Sequence, residues 1–235
     1  MAAVITSPAA RGRFAVDPGA FTIEFELDRL NAERLARMAP DLSELTGAFV
    51  AKRATMLRWF ARRTLWLLGA QATALVQAFI DGHPAGELLH DEVESFGNFV
   101  VDQAAALRDG SAWSDVVAEM ARFERARNAS FWDAIELYDD RSDLVSEGPA
   151  VELAAGAKID KFERDLRALY HSRLMPADPP PLDPCVLCFV HSLVASAFRI
   201  VRLTEDEARL LTSLPLPQTE TIPRRLARLG LVVAA

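Results

Sequence analysis

The sequence predicts an α+β protein that is mainly α: an N-terminal helical domain followed by a small C-terminal winged-helix-like αβ module. Three observations lead there. Apolar residues recur at helical spacing through most of residues 28–175. Five prolines crowd into Pro176–Pro184, which no helix or central strand tolerates. Beyond them the chain turns to short β-branched and aromatic runs alternating with capped helical stretches.

Residues 1–20 read as a loose arm, with Pro8, Gly12, Pro18 and Gly19. Phe21-Thr-Ile-Glu-Phe-Glu-Leu27 alternates with period two and predicts a short edge strand with Glu24 and Glu26 towards water. Asp28 caps a helix holding Leu30, Leu35 and Met38, which is expected to end before Pro40. Asp41–Ile80 is the most helical stretch, with Leu45, Phe49, Met56, Phe60, Leu67 and Ala70 as a core stripe. Trp59 and Trp66, one heptad apart, read as part of that stripe rather than as a ligand-stacking pair. A break is expected near Thr64 or Gly69. Asp81–Pro84 is a turn. A helix follows over Leu88–Leu107, a break at Asp109–Ser111, and a long helix from Ser111 to about Tyr138. Ala150–Met175 is expected as a final helix, carrying Leu153, Ile159, Phe162, Leu166, Leu169 and Tyr170.

The proline stretch then acts as a stiff extended spacer. It sets the expected domain division: arm 1–20, helical domain 21–175, linker 176–184, module 185–235. In the module, Cys185–Val190 and Phe198–Leu203 flank the turn-prone Ser192–Ser196 and form a hairpin. Thr204 caps a helix opened by Glu205, Asp206 and Glu207, residues that suit its positive end. Thr219 opens a second short helix with Pro223 in its first turns. Arg224, Arg225 and Arg228 lie towards its negative end, and Gly230 closes it. Leu231–Val233 is a last short strand. Phe198, Ile200 and Arg202 fall on one phase of the second hairpin strand, Arg199 and Val201 on the other.

Of the 235 residues 51% are hydrophobic, enough for a sizeable core, and the net charge is −7. That acidity argues against tight binding to a phosphate backbone, and so against the DNA partner that a winged-helix outline suggests. No run is apolar and long enough for a secretory signal or a membrane span, so a cytoplasmic protein is expected. Cys185-Val-Leu-Cys188 holds both cysteines. With only His191 nearby they read as buried strand residues rather than a zinc or redox centre. Glu87-Leu-Leu-His90 fits the Glu-x-x-His spacing of a di-iron bundle once, but no second copy occurs, and Glu119 and Glu124 bring no histidine. His83, Asp91, Glu92 and Glu94 complete the candidate acids and bases. Adjacent helix residues such as His90, Asp91 and Glu92 point different ways, and acids at a helix start offset its dipole. Nucleophile-elbow, Walker and dinucleotide-binding motifs are absent.

Three stretches together resemble one family. They are Leu75–Pro84 with Phe96-Gly-Asn-Phe99; Met120-Ala-Arg-Phe-Glu-Arg-Ala126 preceded by Trp113 and Asp115; and Phe198–Leu211 closed by Ile222–Val232. In this order they resemble the accessory subunits of multinuclear non-heme iron-dependent oxidases (MNIOs), the partner proteins of methanobactin-type and thiaglutamate-type peptide maturation. Arg125 stands where the family often has Trp, and residues 1–45 and 148–184 lie outside the likeness. The resemblance implies a non-catalytic partner with no cofactor of its own, in a heterodimer with a TIM-barrel-type iron oxidase. The partner would bind a ribosomally synthesised precursor peptide for oxidation, expected at a cysteine, with neither nucleic acid nor membrane involved. It also implies that the leader of the peptide adds as a strand to a sheet edge beside a helix. Physically, an edge strand offers unpaired N–H and C=O groups to any extended peptide. The expected peptide-binding residues are Phe198, Arg199, Ile200, Val201 and Arg202. Two rival readings are a DNA-binding regulator using Thr219–Leu229 and a helical-bundle metalloenzyme using Glu87, His90 and Glu124.

Overall fold

The computed structural model describes residues 12–14, 16–24, 26–83, 85, 88–106, 112–140, 150–154, 156–192, 197–214, 216–217, 223–229 and 231–234. The fold is α+β and mainly α. The chain divides into two units, Met1–Phe99 and Val100–Ala235. The arm up to residue 11, the expected break at 109–111, the hairpin turn 193–196, and Glu87, Pro215, Thr219 and Gly230 lie outside the described residues.

The described elements of the first unit are helical: α1 (Pro18–Glu24), α2 (Arg29–Phe60), α3 (Arg62–Leu68), α4 (Gln71–Gly82) and the start of α5 (Leu89–Ala106). Helix α1 replaces the edge strand expected over Phe21–Leu27. The Asp17 side chain accepts from the Ala20 N–H at 2.9 Å, and Pro18 takes the first helical position, where a missing N–H costs nothing. Phe14 and Phe21, seven residues apart, then meet edge-on at 5.4 Å and are both buried. That apolar contact outweighs a short alternating pattern.

Asp28 caps α2 as expected, accepting from the Asn31 N–H at 2.7 Å. The helix does not stop before Pro40 but runs through it to Phe60. A proline inside a helix costs about 3 kcal/mol, and the buried turns downstream, with Arg53, Leu57 and Phe60, offset it. The chain breaks at Ala61 and at Gly69, whose φ of +54° suits glycine; Thr64 lies buried within α3. Buried Arg53 pairs with buried Glu92 and donates to the His83 carbonyl at 2.9 Å. The Phe79 ring packs on Phe96 at 5.0 Å and on the His83 imidazole at 4.4 Å.

In the second unit, α6 (Ala112–Asp140) matches the long helix expected there. The helix expected over Ala150–Met175 is instead two strands, β1 (Ala150–Leu153) and β2 (Lys158–Phe162), and a short helix, α7 (Arg167–His171). Gly156, at φ +70°, turns the chain between the strands where a helix could not continue. Leu153, Ile159 and Phe162 satisfy a helical period and a strand period about equally, which is why spacing alone misassigned them.

Both strands pair across the proline stretch. Strand β2 lies antiparallel to β3 (Cys185–Ser192), and β3 lies antiparallel to β4 (Ala197–Leu203), giving the order β2-β3-β4. Strand β1 sits between β5 (Leu216–Pro217) and β6 (Val232–Ala234). Residues 176–184 carry neither helix nor strand but lie inside the second unit, so they are not its border. The hairpin expected in the module is present. The module completes its sheets only with strands from before the prolines.

Helix α8 (Glu205–Thr212) begins with a full capping box between Thr204 and Glu207, and α9 (Arg224–Arg228) follows Pro223. The sheet β2-β3-β4 is covered on both faces. On one, Phe123 of α6 meets Phe162 at 5.7 Å and Phe189 at 5.0 Å. On the other, Cys188, Val190, Val201 and Leu203 pack with Leu211, Leu226 and Leu231.

Candidate functional site

Strand β4 ends the sheet β2-β3-β4, and among the described residues no strand pairs with its outer side. In an antiparallel strand the N–H and C=O of one residue point to the same side, and the side alternates along the chain. The Arg202 carbonyl accepts from the Arg225 side chain at 2.9 Å, so it points away from β3. By alternation the backbone groups of Phe198 and Ile200 point outward too. Those of Arg199, Val201 and Leu203 are turned to β3, opposite Val190, Cys188 and Val186.

The opposite edge is engaged at Lys161. The same alternation turns Lys161 of β2 outward, and its carbonyl accepts from Arg122 of α6 at 3.0 Å. Its N–H donates to the Asp160 side chain at 2.8 Å.

The five expected residues separate into different roles. Val201 is a core residue of the cluster between the sheet and helices α8 and α9. Arg202 is tied to Asp183 at 2.6 and 2.8 Å and reaches Asp165 at 3.5 Å. Arg167 holds the Asp165 carboxyl below the usual carboxylate range, and Arg202 does the same for Asp183. Both acids therefore stay ionised, and this network anchors the end of β4. Arg199 is exposed and donates to the Leu229 carbonyl at 3.2 Å. Half-buried Phe198 and Ile200 lie on the α6 side of the sheet.

Around Phe198 the structure assembles a corner that strand phase alone did not reveal. Its ring stacks on His191 at 4.4 Å, and the Arg127 guanidinium lies 5.5 Å from its centre. Phe131, one turn on from Arg127, meets His191 at 5.1 Å. Helix α6 thus forms one wall beside the open edge. The sequence held a faint signal for this: Phe123, Arg127 and Phe131 recur every fourth residue.

Among the described residues, His191 Nδ1 is buried without a hydrogen-bond partner. Burial, with the Arg127 charge adding to it, pushes the His191 pKa down from 6.5 to about 4. Between those values the unfolded chain takes up a proton that the folded one refuses, so stability falls as pH drops through the window. The expected loss, allowing for partial exposure, is about 1–2 kcal/mol. Urea unfolding at pH 7 and pH 4.5 checks it: His191→Phe is expected to lose less stability than the wild type between the two.

The cysteines alternate across β3. Cys188 faces the apolar cluster, where burial pushes its thiol up to about 12. Cys185 lies on the α6 side, 3.6 Å from the Arg164 carbonyl, and its thiol is also raised by burial. Both are free, and their opposite directions prevent a joint site. His90 lies 3.0 Å from Asp91, and Glu124 is buried. Among the described residues no group of three or more His, Cys, Asp or Glu side chains is placed to hold a metal ion.

Helix α9 has five residues, little more than one turn, and its Arg225 is engaged by Glu207 and by the Arg202 carbonyl. That is short for a helix meant to lie along a DNA groove. Among the described residues no helix is long and apolar enough to cross a membrane. No family model matches the chain, and no curated protein matches it.

Proposed function

We propose that this chain is a non-catalytic partner protein. It binds a ribosomally made precursor peptide as an added strand on β4 and presents it, at a cysteine, to a separate non-heme iron oxidase. The observation that carries the reading is the open stretch of β4 at Phe198 and Ile200, walled by α6 and bounded at one end by Arg225. Main-chain bonding there gives affinity, and neighbouring side chains choose the sequence. The likeness of the three sequence stretches to MNIO accessory subunits supplies the oxidase partner.

The test separates the outer edge from the ladder. Ile200→Pro removes an outward N–H, which an edge strand tolerates. With a peptide selected from a displayed random library, the substitution is expected to weaken binding about tenfold or more, through one lost bond and a misfit ring. Val201→Pro removes an inward N–H and a buried side chain, and is expected to destabilise the second unit by about 3 kcal/mol or more. A folded Ile200→Pro chain that binds the peptide as well as wild type would contradict the reading.

A further inference from the structure

We infer that the β4 edge selects an acidic peptide: an extended segment with Asp or Glu opposite Arg199, flanked by apolar residues opposite Phe198 and Ile200. The inference rests on the strand-addition reading and adds the chemistry of the ligand.

Three observations lead to it. First, the chain carries 33 acidic residues against 26 Lys and Arg, so unpaired arginines are not the expectation. Most arginines around the sheet do have carboxylate partners: Arg122 with Asp160, Arg164 with Glu119, Arg202 with Asp183. Arg199, Arg224 and Arg228 have none among the described residues, and all three are exposed. Second, Arg199 is held at the strand edge. The bond from Arg199 to the Leu229 carbonyl sets the end of α9 beside β4, and Arg225 ties its start to Arg202.

Third, strand phase fixes which peptide residue meets which group. A side chain on an added strand projects to the same face as the residue opposite it. The residue opposite Arg199 projects to the face that Arg199 shares, beside its guanidinium. Its neighbours project to the α6 side, where Phe198 and half-buried Ile200 offer apolar surface. The Arg127 guanidinium lies over the Phe198 ring there. The pattern read off the edge is apolar, acidic, apolar. The same charge disfavours a second copy of this chain as occupant, since two such edges repel each other. Phosphates would match the arginines, but they leave the outward N–H and C=O groups of Phe198 and Ile200 unpaired.

The test is selection from a displayed random-peptide library on the full chain, followed by amide exchange with the winning peptide and by binding to Arg199→Glu, with urea unfolding of that variant showing that it stays folded. The expected result is slowed exchange at Phe198 and Ile200, an Asp or Glu at the central peptide position, and about tenfold weaker binding to Arg199→Glu, since attraction becomes repulsion across the pair. Reselection on Arg199→Glu is then expected to favour Lys or Arg at that position. Peptides that slow exchange at Phe198 and Ile200 without acidic preference, and bind Arg199→Glu equally well, would overturn the inference while leaving strand addition in place. Selection yielding no peptide that protects those two amides would overturn strand addition itself.

Discussion

Gly156→Ala is expected to destabilise the second unit by about 3–5 kcal/mol, enough to leave much of it unfolded. A Cβ on Gly156 would lie 2.6 Å from the Ala134 nitrogen, 2.8 Å from the Ser130 carbonyl oxygen and 2.9 Å from the Ala134 Cα. These are backbone atoms of α6, and no rotamer change moves them. Relief requires α6 to lift from the sheet, which opens the packing of Phe123 on Phe162 and Phe189. The positive φ adds its own strain. Gly69→Ala is the matched control: its φ is +54°, yet nothing lies within 4 Å of the added carbon. There the cost is expected to be about 1 kcal/mol, from the backbone alone. Urea unfolding of both variants measures the difference; equal costs would mean that α6 does not press on the β1–β2 turn.

Arg53→Met is expected to cost the first unit about 3–5 kcal/mol. Arg53 and Glu92 keep only 3% and 10% of their side-chain surface exposed. Removing the guanidinium leaves a buried carboxylate with no opposite charge and takes a donor from the His83 carbonyl. The pair is costly to break but not costly to replace. Arg53→Met combined with Glu92→Leu is expected to recover most of the loss, because two apolar side chains carry no desolvation penalty. A double-mutant cycle followed by thermal unfolding reports the coupling. A single mutant near wild-type stability would show that water reaches Glu92.

What the sequence disclosed and withheld follows from the range of the forces involved. Local signals were readable. Asp28 and Thr204 cap as their residue types suggest, the β3–β4 hairpin follows from its apolar runs, and α5 and α6 follow from helical spacing. Signals that depend on distant partners were not. Ile159 and Phe162 are strand residues because Cys188 and Cys185 lie opposite them, across the prolines. Phe21 is helical because Phe14 covers it. Pro40 fails to end α2 because burial further along outweighs one missing bond.

The candidate site divides the same way. The two phases of β4 could be counted off the residues. Which phase is core, and which backbone groups remain open, depend on Leu226, Arg225 and Arg122, all brought from other elements. Phe198 and Ile200 carry backbone groups on the outer side of β4, and Arg199 is exposed between them. Val201 and Arg202 hold the strand in position.

The most direct test of peptide capture by β4 is amide hydrogen exchange, residue by residue, with and without a library-selected peptide. The account predicts an alternating pattern: Phe198 and Ile200 exchange quickly in the free chain and slow on binding, while Arg199 and Val201 are slow in both. Slowing confined to Ile159 and Lys161 on the β2 edge, or none in either strand, would contradict it.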